Sequence, residues 1–191
     1  MGPTIAAATK GRMIRLFTAL SVPEDVAEAL ARRQTGLPSA RWRTTDQLHI
    51  TLTFYGEVDE RRADDLSVEL ERAATGGPFE IALAGVGAFG DGHRTRAVWA
   101  GVEASERLTV LAGRTRSAAG RAAIPVERRD YRPHLTLAYL DAQADPARIA
   151  AWIAGHNLLH SPPIPVDRFG LYSSVLTPDG SRYQLEREYR L

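Results

Sequence analysis

Apolar and polar residues alternate with period two along two short stretches, Leu48-His49-Ile50-Thr51-Leu52-Thr53-Phe54 and Pro133-His134-Leu135-Thr136-Leu137-Ala138-Tyr139. Alternation of this kind predicts β-strands with one face toward a core. Side chains at i and i+2 share a face of a strand. His49 and Thr51 therefore point one way and Ile50 and Leu52 the other, and His134 and Thr136 repeat the arrangement against Leu135 and Leu137. The first of these strands is predicted over 47–55, closed by Gly56, and the second over 134–140. The pattern also predicts a buried strand over Leu16–Leu20 and a long one from Phe79 to Phe89, which turns at Gly90-Asp91-Gly92 into Ala97–Val102. Final strands are expected over 166–171 and 182–189, around the turn Thr177-Pro178-Asp179-Gly180. Helical spacing of apolar residues recurs four times: Val26, Ala27, Leu30 and Ala31 in 24–35, Leu66 and Leu70 in 59–74, Leu108 and Leu111 in 105–119, and Ile149 and Ile153 in 145–154. Helix-start signals stand at Pro23, Asp59, Ser105 and Asp145.

The resulting order, β-α-β-α-β-β-α-β-α-β-β, combines helices with hairpins, and the duplicated motif falls at similar points of two halves. The expected fold is α+β: two pseudo-symmetric lobes, each an antiparallel sheet with helices packed outside, facing across a central cleft. Residues 1–12 have no long apolar run and read as a flexible N-terminal tail, leaving 13–191 as a single bilobal domain.

Composition narrows this only a little. The chain has 191 residues, 44% hydrophobic and 25% charged, as in ordinary soluble domains. A net charge of +1 does not by itself argue for nucleic-acid binding, and of 24 basic residues all but Lys10 are arginine, which coding bias explains. With no cysteine there is neither disulfide nor thiolate metal site, which permits a reducing compartment. No run approaches membrane-spanning length and no signal peptide is evident, so the expected location is the cytoplasm.

The chemistry lies in the repeat. A lone His-x-Thr in a strand is ordinarily structural, but two in one local pattern, 85 residues apart in a chain with five histidines, form a matched pair. Two imidazoles converging on one spot can remove a proton from an attacking oxygen and deliver one to a leaving oxygen near neutral pH. Two threonine hydroxyls beside them can donate to the non-bridging oxygens of a phosphodiester. Other candidates are weaker. His156 and His160 stand at i and i+4, but Gly155 and Pro162-Pro163 argue against a continuous helix there and no carboxylate at motif spacing supports a site, so no metal is expected. Trp42 reads as cover for a core edge, and His93 and Arg94 as loop residues. Arg128, Arg129 and Arg132 are a solvated face or, beside the second histidine, include at least one that reaches an RNA phosphate or ribose.

These motifs resemble those of the two-histidine phosphoesterase superfamily, specifically the LigT-like RNA 2',3'-cyclic phosphodiesterases, also called 2'-5' RNA ligases. The resemblance runs from Arg15 to Leu191 through Arg15–Leu20, Leu48–Val58, Val98–Val102, Tyr131–Ala138 and Leu171–Tyr183. It implies metal-independent opening of a terminal 2',3'-cyclic phosphate on RNA or a nucleotide to a 2'-phosphate, by a monomer that needs no cofactor. Run backwards, the same chemistry is 2'-5' ligation. His49 would be the acid and His134 the base, although the residues alone do not distinguish this from the reverse. Thr51 and Thr136 would hold the phosphate, and Phe54 stands where the family stacks a base. Strict alternation points Phe54 away from His49, so that contact requires the strand to bend or end first. Relatives also commonly place an arginine directly after the second motif, where this chain has Tyr139; Arg132 is the substitute candidate. The rival readings are a module that binds RNA ends or nucleotides without turnover, and the same chemistry on another small cyclic phosphate or a 2'-5' oligonucleotide.

Overall fold

The computed structural model describes residues 13–38, 40–90, 94–127, 130–177 and 180–191. The elements in chain order are β1 (Met13–Ser21), α1 (Glu24–Ala31), β2 (Ala40–Trp42), a 3-10 turn (Thr45–Gln47), β3 (His49–Asp59), α2 (Glu60–Ala73), β4 (Phe79–Ile81), β5 (Leu83–Gly90), β6 (Thr95–Val102), α3 (Glu106–Arg121), β7 (His134–Leu140), α4 (Pro146–His156), β8 (Ile164–Val166), β9 (Arg168–Thr177) and β10 (Gly180–Arg190). The expected tail at 1–12, the turn residues Asp91, Gly92 and His93, Arg128, Arg129, Pro178 and Asp179 lie outside the described residues.

The strands form two antiparallel halves. One runs β10-β9-β1-β3, and the other consists of β7, β6 and β5 with β2 on the free part of the β7 edge. They meet at a single antiparallel pair, Ile50 with Leu135, so the halves are continuous along one path. The symmetry includes an exchange. β5 follows α2 in the first half of the chain yet pairs with β6, while β9 follows α4 in the second half yet pairs with β1. The crossing connections pair with each other as β4 and β8. The alternation from Phe79 to Phe89 is therefore not one strand, because it is divided at Ala82 between two sheets. The three-residue β2 is too short to give a periodic signal.

Helix ends follow from side-chain chemistry. Asp59 accepts from the Arg62 amide (3.0 Å), Ser105 from Leu108 (3.2 Å) and Asp145 from Ala147 (2.9 Å), each satisfying an amide that has no partner within its helix. Leu66, Leu70, Leu108 and Leu111 are buried with Ile50, Leu52, Leu135 and Leu137 in one core. The helices therefore cover the face opposite the histidines. α1 ends at Ala31, four residues earlier than the spacing predicts.

Both motif strands contain the same irregularity. Ala19 pairs with Thr51 and Thr18 with Thr53, leaving Leu52 as an extra residue; Trp99 pairs with Thr136 and Val98 with Ala138, leaving Leu137. A bulge of this kind offsets the alternation beyond it. Leu52 and Thr53 are both buried, as are Leu137 and Ala138, and the next residues, Phe54 and Tyr139, are 48% and 42% exposed. The bulge thus returns Phe54 to the face of His49, and Tyr139 to that of His134. Gly56 does not close the first strand: with φ of 71° it sits inside β3, which continues to Asp59.

Candidate active site

The two histidines are held in the same way. His49 Nδ1 lies 2.7 Å from the Gln47 carbonyl and His134 Nδ1 lies 2.7 Å from the Arg132 carbonyl, each two residues back. A carbonyl only accepts, so each Nδ1 donates, and each Nε2 is the nitrogen left for chemistry. Gln47 is itself fixed. Its side-chain oxygen accepts from the Thr44 amide (3.2 Å), and its Nε2 donates to the Ser181 carbonyl on β10 (3.0 Å). An antiparallel register centred on Ile50 and Leu135 sets His49 against Thr136 and Thr51 against His134. Tyr131 closes the junction by donating to the Thr51 carbonyl (3.2 Å).

Aromatic rings wall each imidazole. His49 lies between Phe17 (5.1 Å between centroids) and the edge-on ring of Tyr183 (5.1 Å). His134 meets Phe89 edge-on at 4.7 Å and Trp99 at 6.4 Å. Space for the Trp99 ring depends on Gly87, where a Cβ would lie 2.4 Å from that ring. Burial among its rings lowers the His49 pKa to about 4, with Arg43 and His134 adding to the drop and the Gln47 hydrogen bond opposing it. At neutral pH the free protein therefore carries His49 as a neutral imidazole.

Arg43 is a residue that the sequence does not single out. It follows β2, its amide donates to the Leu137 carbonyl (2.8 Å), and its guanidinium is buried beside the site. A strand of three residues offers no periodicity from which to place its side chain. Of the expected substrate-binding residues, Thr51 and Thr136 sit half-buried beside the histidines, and Phe54 shares their face under the Arg15 guanidinium (5.0 Å). Arg132 is exposed, and its carbonyl orients His134. Trp42 covers a core edge, packing against Trp152 (5.8 Å).

α4 continues through Gly155 to His156, further than the glycine suggests, but it stops at Asn157, and the two later histidines go separate ways. His156 stacks on Trp152 (4.4 Å), while His160 pairs with Glu103 (2.9 Å). Among the described residues, no three His, Asp or Glu side chains are grouped to hold a metal ion. No helix there is long and apolar enough to cross a membrane.

Known proteins are similar to this chain in sequence and in fold. The family model of the 2'-5' RNA ligase superfamily matches residues 22–177, most of the chain. The chain belongs to the 2'-5' RNA ligase superfamily. Within that superfamily it is 32% identical to an RNA 2',3'-cyclic phosphodiesterase of Thermotoga maritima, over 90% of this chain and 92% of the relative. A protein of the same description from Thermus thermophilus is also 32% identical, over 93% and 90% of the two chains. Among solved structures, Escherichia coli LigT complexed with 3'-AMP superimposes with a TM-score of 0.75 at 28% identity, covering 94% of this chain and 99% of that one. A crystal structure from Thermus thermophilus gives 0.77 at 29% identity, covering 93% and 97%. The fold, α+β with two antiparallel halves and, among the described residues, four α-helices, is of the class expected from the sequence and superimposes on that of the superfamily structures.

Proposed function

We propose that this protein hydrolyses the 2',3'-cyclic phosphate of RNA ends or nucleotides to a 2'-phosphate, using His49 and His134 as its acid–base pair and no metal. The observation that carries the reading is the mirrored pair of imidazoles, each locked through Nδ1 to a carbonyl, on two strands that touch at Ile50 and Leu135. The names of the relatives point to the same reaction.

In the proposed sequence His134 Nε2 takes a proton from water as its oxygen attacks phosphorus. The bond from phosphorus to O3' breaks, and His49 Nε2 gives its proton to that leaving oxygen. The products are a 3'-hydroxyl and a 2'-phosphomonoester, and transfer of a proton from His134 to His49 restores the pair. Thr51 and Thr136 donate to the non-bridging oxygens, whose charge rises in the transition state. Phe54 offers a face to the base, and the Arg132 side chain is left to contact RNA outside the reacting centre. Because His49 is neutral in the free protein, its acid role requires a proton taken up from solvent as the substrate binds: an anionic phosphodiester against the ring favours the imidazolium. The reverse reaction is 2'-5' ligation.

One chain supplies both motifs, which supports a monomeric enzyme, and a single core spanning both halves supports one bilobal domain over 13–191. The absence of cysteine fits a cytoplasmic location. The test is incubation of the protein in EDTA with a 2',3'-cyclic mononucleotide and with an oligonucleotide ending in a cyclic phosphate, followed by phosphorus NMR. A 2'-phosphate product that survives chelation supports the reading. Tight binding of both without turnover overturns it in favour of a binding module, and turnover of another cyclic phosphate alone redirects the substrate.

A further inference from the structure

Arg43 presents an energetic problem. The residue is 8% exposed, and among the described residues no carboxylate pairs with it. Withdrawing a guanidinium from water costs several kcal/mol, roughly, unless its charge and donors are matched. The match here is partial. Nη2 donates to the Tyr183 hydroxyl (2.8 Å), and the guanidinium lies over the rings of Tyr183 (5.4 Å) and Tyr139 (5.5 Å). Cation–π contacts offset part of the cost, but a guanidinium has five N–H donors, and among the described residues this one hydrogen bond is what it makes.

Among the described residues, the ionised groups that act on its neighbours His49 and Tyr183 include no carboxylate. Tyr183, which receives that hydrogen bond, presents its edge to the His49 ring at 5.1 Å. Tyr139 is the exposed residue that the β7 bulge turns to the face of His134 and Thr136. The charged groups that act on His49 are Arg43 and His134, both potential cations, and Arg15 and Arg43 both act on Tyr183. A buried cation and two imidazoles thus lie together beside Thr51 and Thr136, and among the described residues no carboxylate is paired with the cation. An anion with two parallel acceptor oxygens fits such a site, because the guanidinium fork engages two phosphate oxygens at once.

We propose that Arg43 binds the non-bridging oxygens of the scissile phosphate, entering the active site from β2 and held there by Tyr183 and Tyr139. The assignment rests on the acid–base reading above for the identity of the phosphate, though not for its charge. It also gives a physical account of Tyr139. With tyrosine after the second motif, the charge is delivered by the neighbouring strand, and the tyrosine ring serves as the surface on which the guanidinium lies.

The test combines turnover with anion binding. Arg43→Met, Arg43→Lys and the exchange variant Arg43→Met/Tyr139→Arg are compared with the wild-type protein. Turnover of 2',3'-cyclic AMP and the rise in melting temperature with inorganic phosphate are both measured. The proposal expects Arg43→Met to lose about 10²–10³-fold in kcat, as for removal of a charge-stabilising donor, together with the phosphate-induced rise in melting temperature. The exchange variant regains at least about tenfold over Arg43→Met, since it returns a guanidinium to the same space. Should Arg43→Met fail to fold, Arg43→Lys and the exchange variant decide, because both keep a cation. Folded Arg43→Met with phosphate stabilisation and turnover within about threefold of wild type overturns the assignment, as that is no more than a surface change does. If the wild-type protein turns over neither cyclic AMP nor an oligonucleotide ending in a cyclic phosphate, but phosphate still stabilises it through Arg43, the hydrolase reading fails while the anion site stands.

Discussion

The two motif strands, β3 and β7, have nearly the same sequence, the same bulge and the same Nδ1 anchor, yet they place their histidines in different surroundings. His49 lies beside β1 and β10, with Phe17, Tyr183 and the Arg43 charge around it, and is pushed to a pKa of about 4. His134 lies beside β5 and β6, walled by Phe89 and Trp99. The strand repeat supplies two equivalent imidazoles. The unlike neighbours make the two inequivalent: burial leaves His49 neutral in the free protein, so the acid role proposed for it depends on the anionic phosphate bound against its ring.

The largest expected effect comes from removing either imidazole. His49→Ala and His134→Ala each lower kcat on 2',3'-cyclic AMP by about 10²–10⁴-fold, and the double variant falls little further because the two act as a unit. Full additivity in the double variant would break the pairing. Next are the hydroxyls: Thr51→Val and Thr136→Val each cost roughly tenfold to a hundredfold in kcat. If their costs differ by much more than that range, the comparison sharpens into a statement about which strand holds the phosphate more tightly.

The His49 surroundings also make a stability prediction. Its folded pKa is below the unfolded value of 6.5, so the unfolded chain binds the extra proton and the contribution is complete above that value. It is lost as pH falls toward 4, amounting to at most about 3 kcal/mol. Urea unfolding of wild type and His49→Gln between pH 7 and 4 should show the wild type losing its advantage over the variant. Binding gives the companion result. In His134→Ala, calorimetry of 2',3'-cyclic AMP in two buffers of different ionisation enthalpy should report net proton uptake, which disappears when His49 is also replaced. The smallest effect is at Phe54, where Phe54→Ala raises KM by about tenfold if a base stacks there and leaves kcat within about threefold.

Much of this was legible in the sequence because period-two alternation specifies which side chains share a face. His49 with Thr51, His134 with Thr136, the helix caps at Asp59, Ser105 and Asp145, and the helical core residues all followed from spacing and cap chemistry. The limits were physical. A bulge leaves no mark in composition, so strict alternation puts Phe54 on the wrong face, and the extra residue Leu52 restores it. Phe79–Phe89 reads as one strand because its pattern continues across Ala82, where the chain crosses between halves. Arg43 could not be read because its position depends on the pairing of a three-residue strand with β7, and on a tyrosine 140 residues away.

The central claim is that the two matched histidines have opposite roles, and a bridging-sulfur substrate tests it most directly. In a 2',3'-cyclic nucleotide whose 3' oxygen is replaced by sulfur, the leaving thiolate is stable without protonation, so only the base remains essential. The account predicts that this substrate restores turnover to His49→Ala by orders of magnitude while His134→Ala stays inactive. Rescue of His134→Ala instead would reverse the roles, and rescue of neither would contradict paired acid–base catalysis.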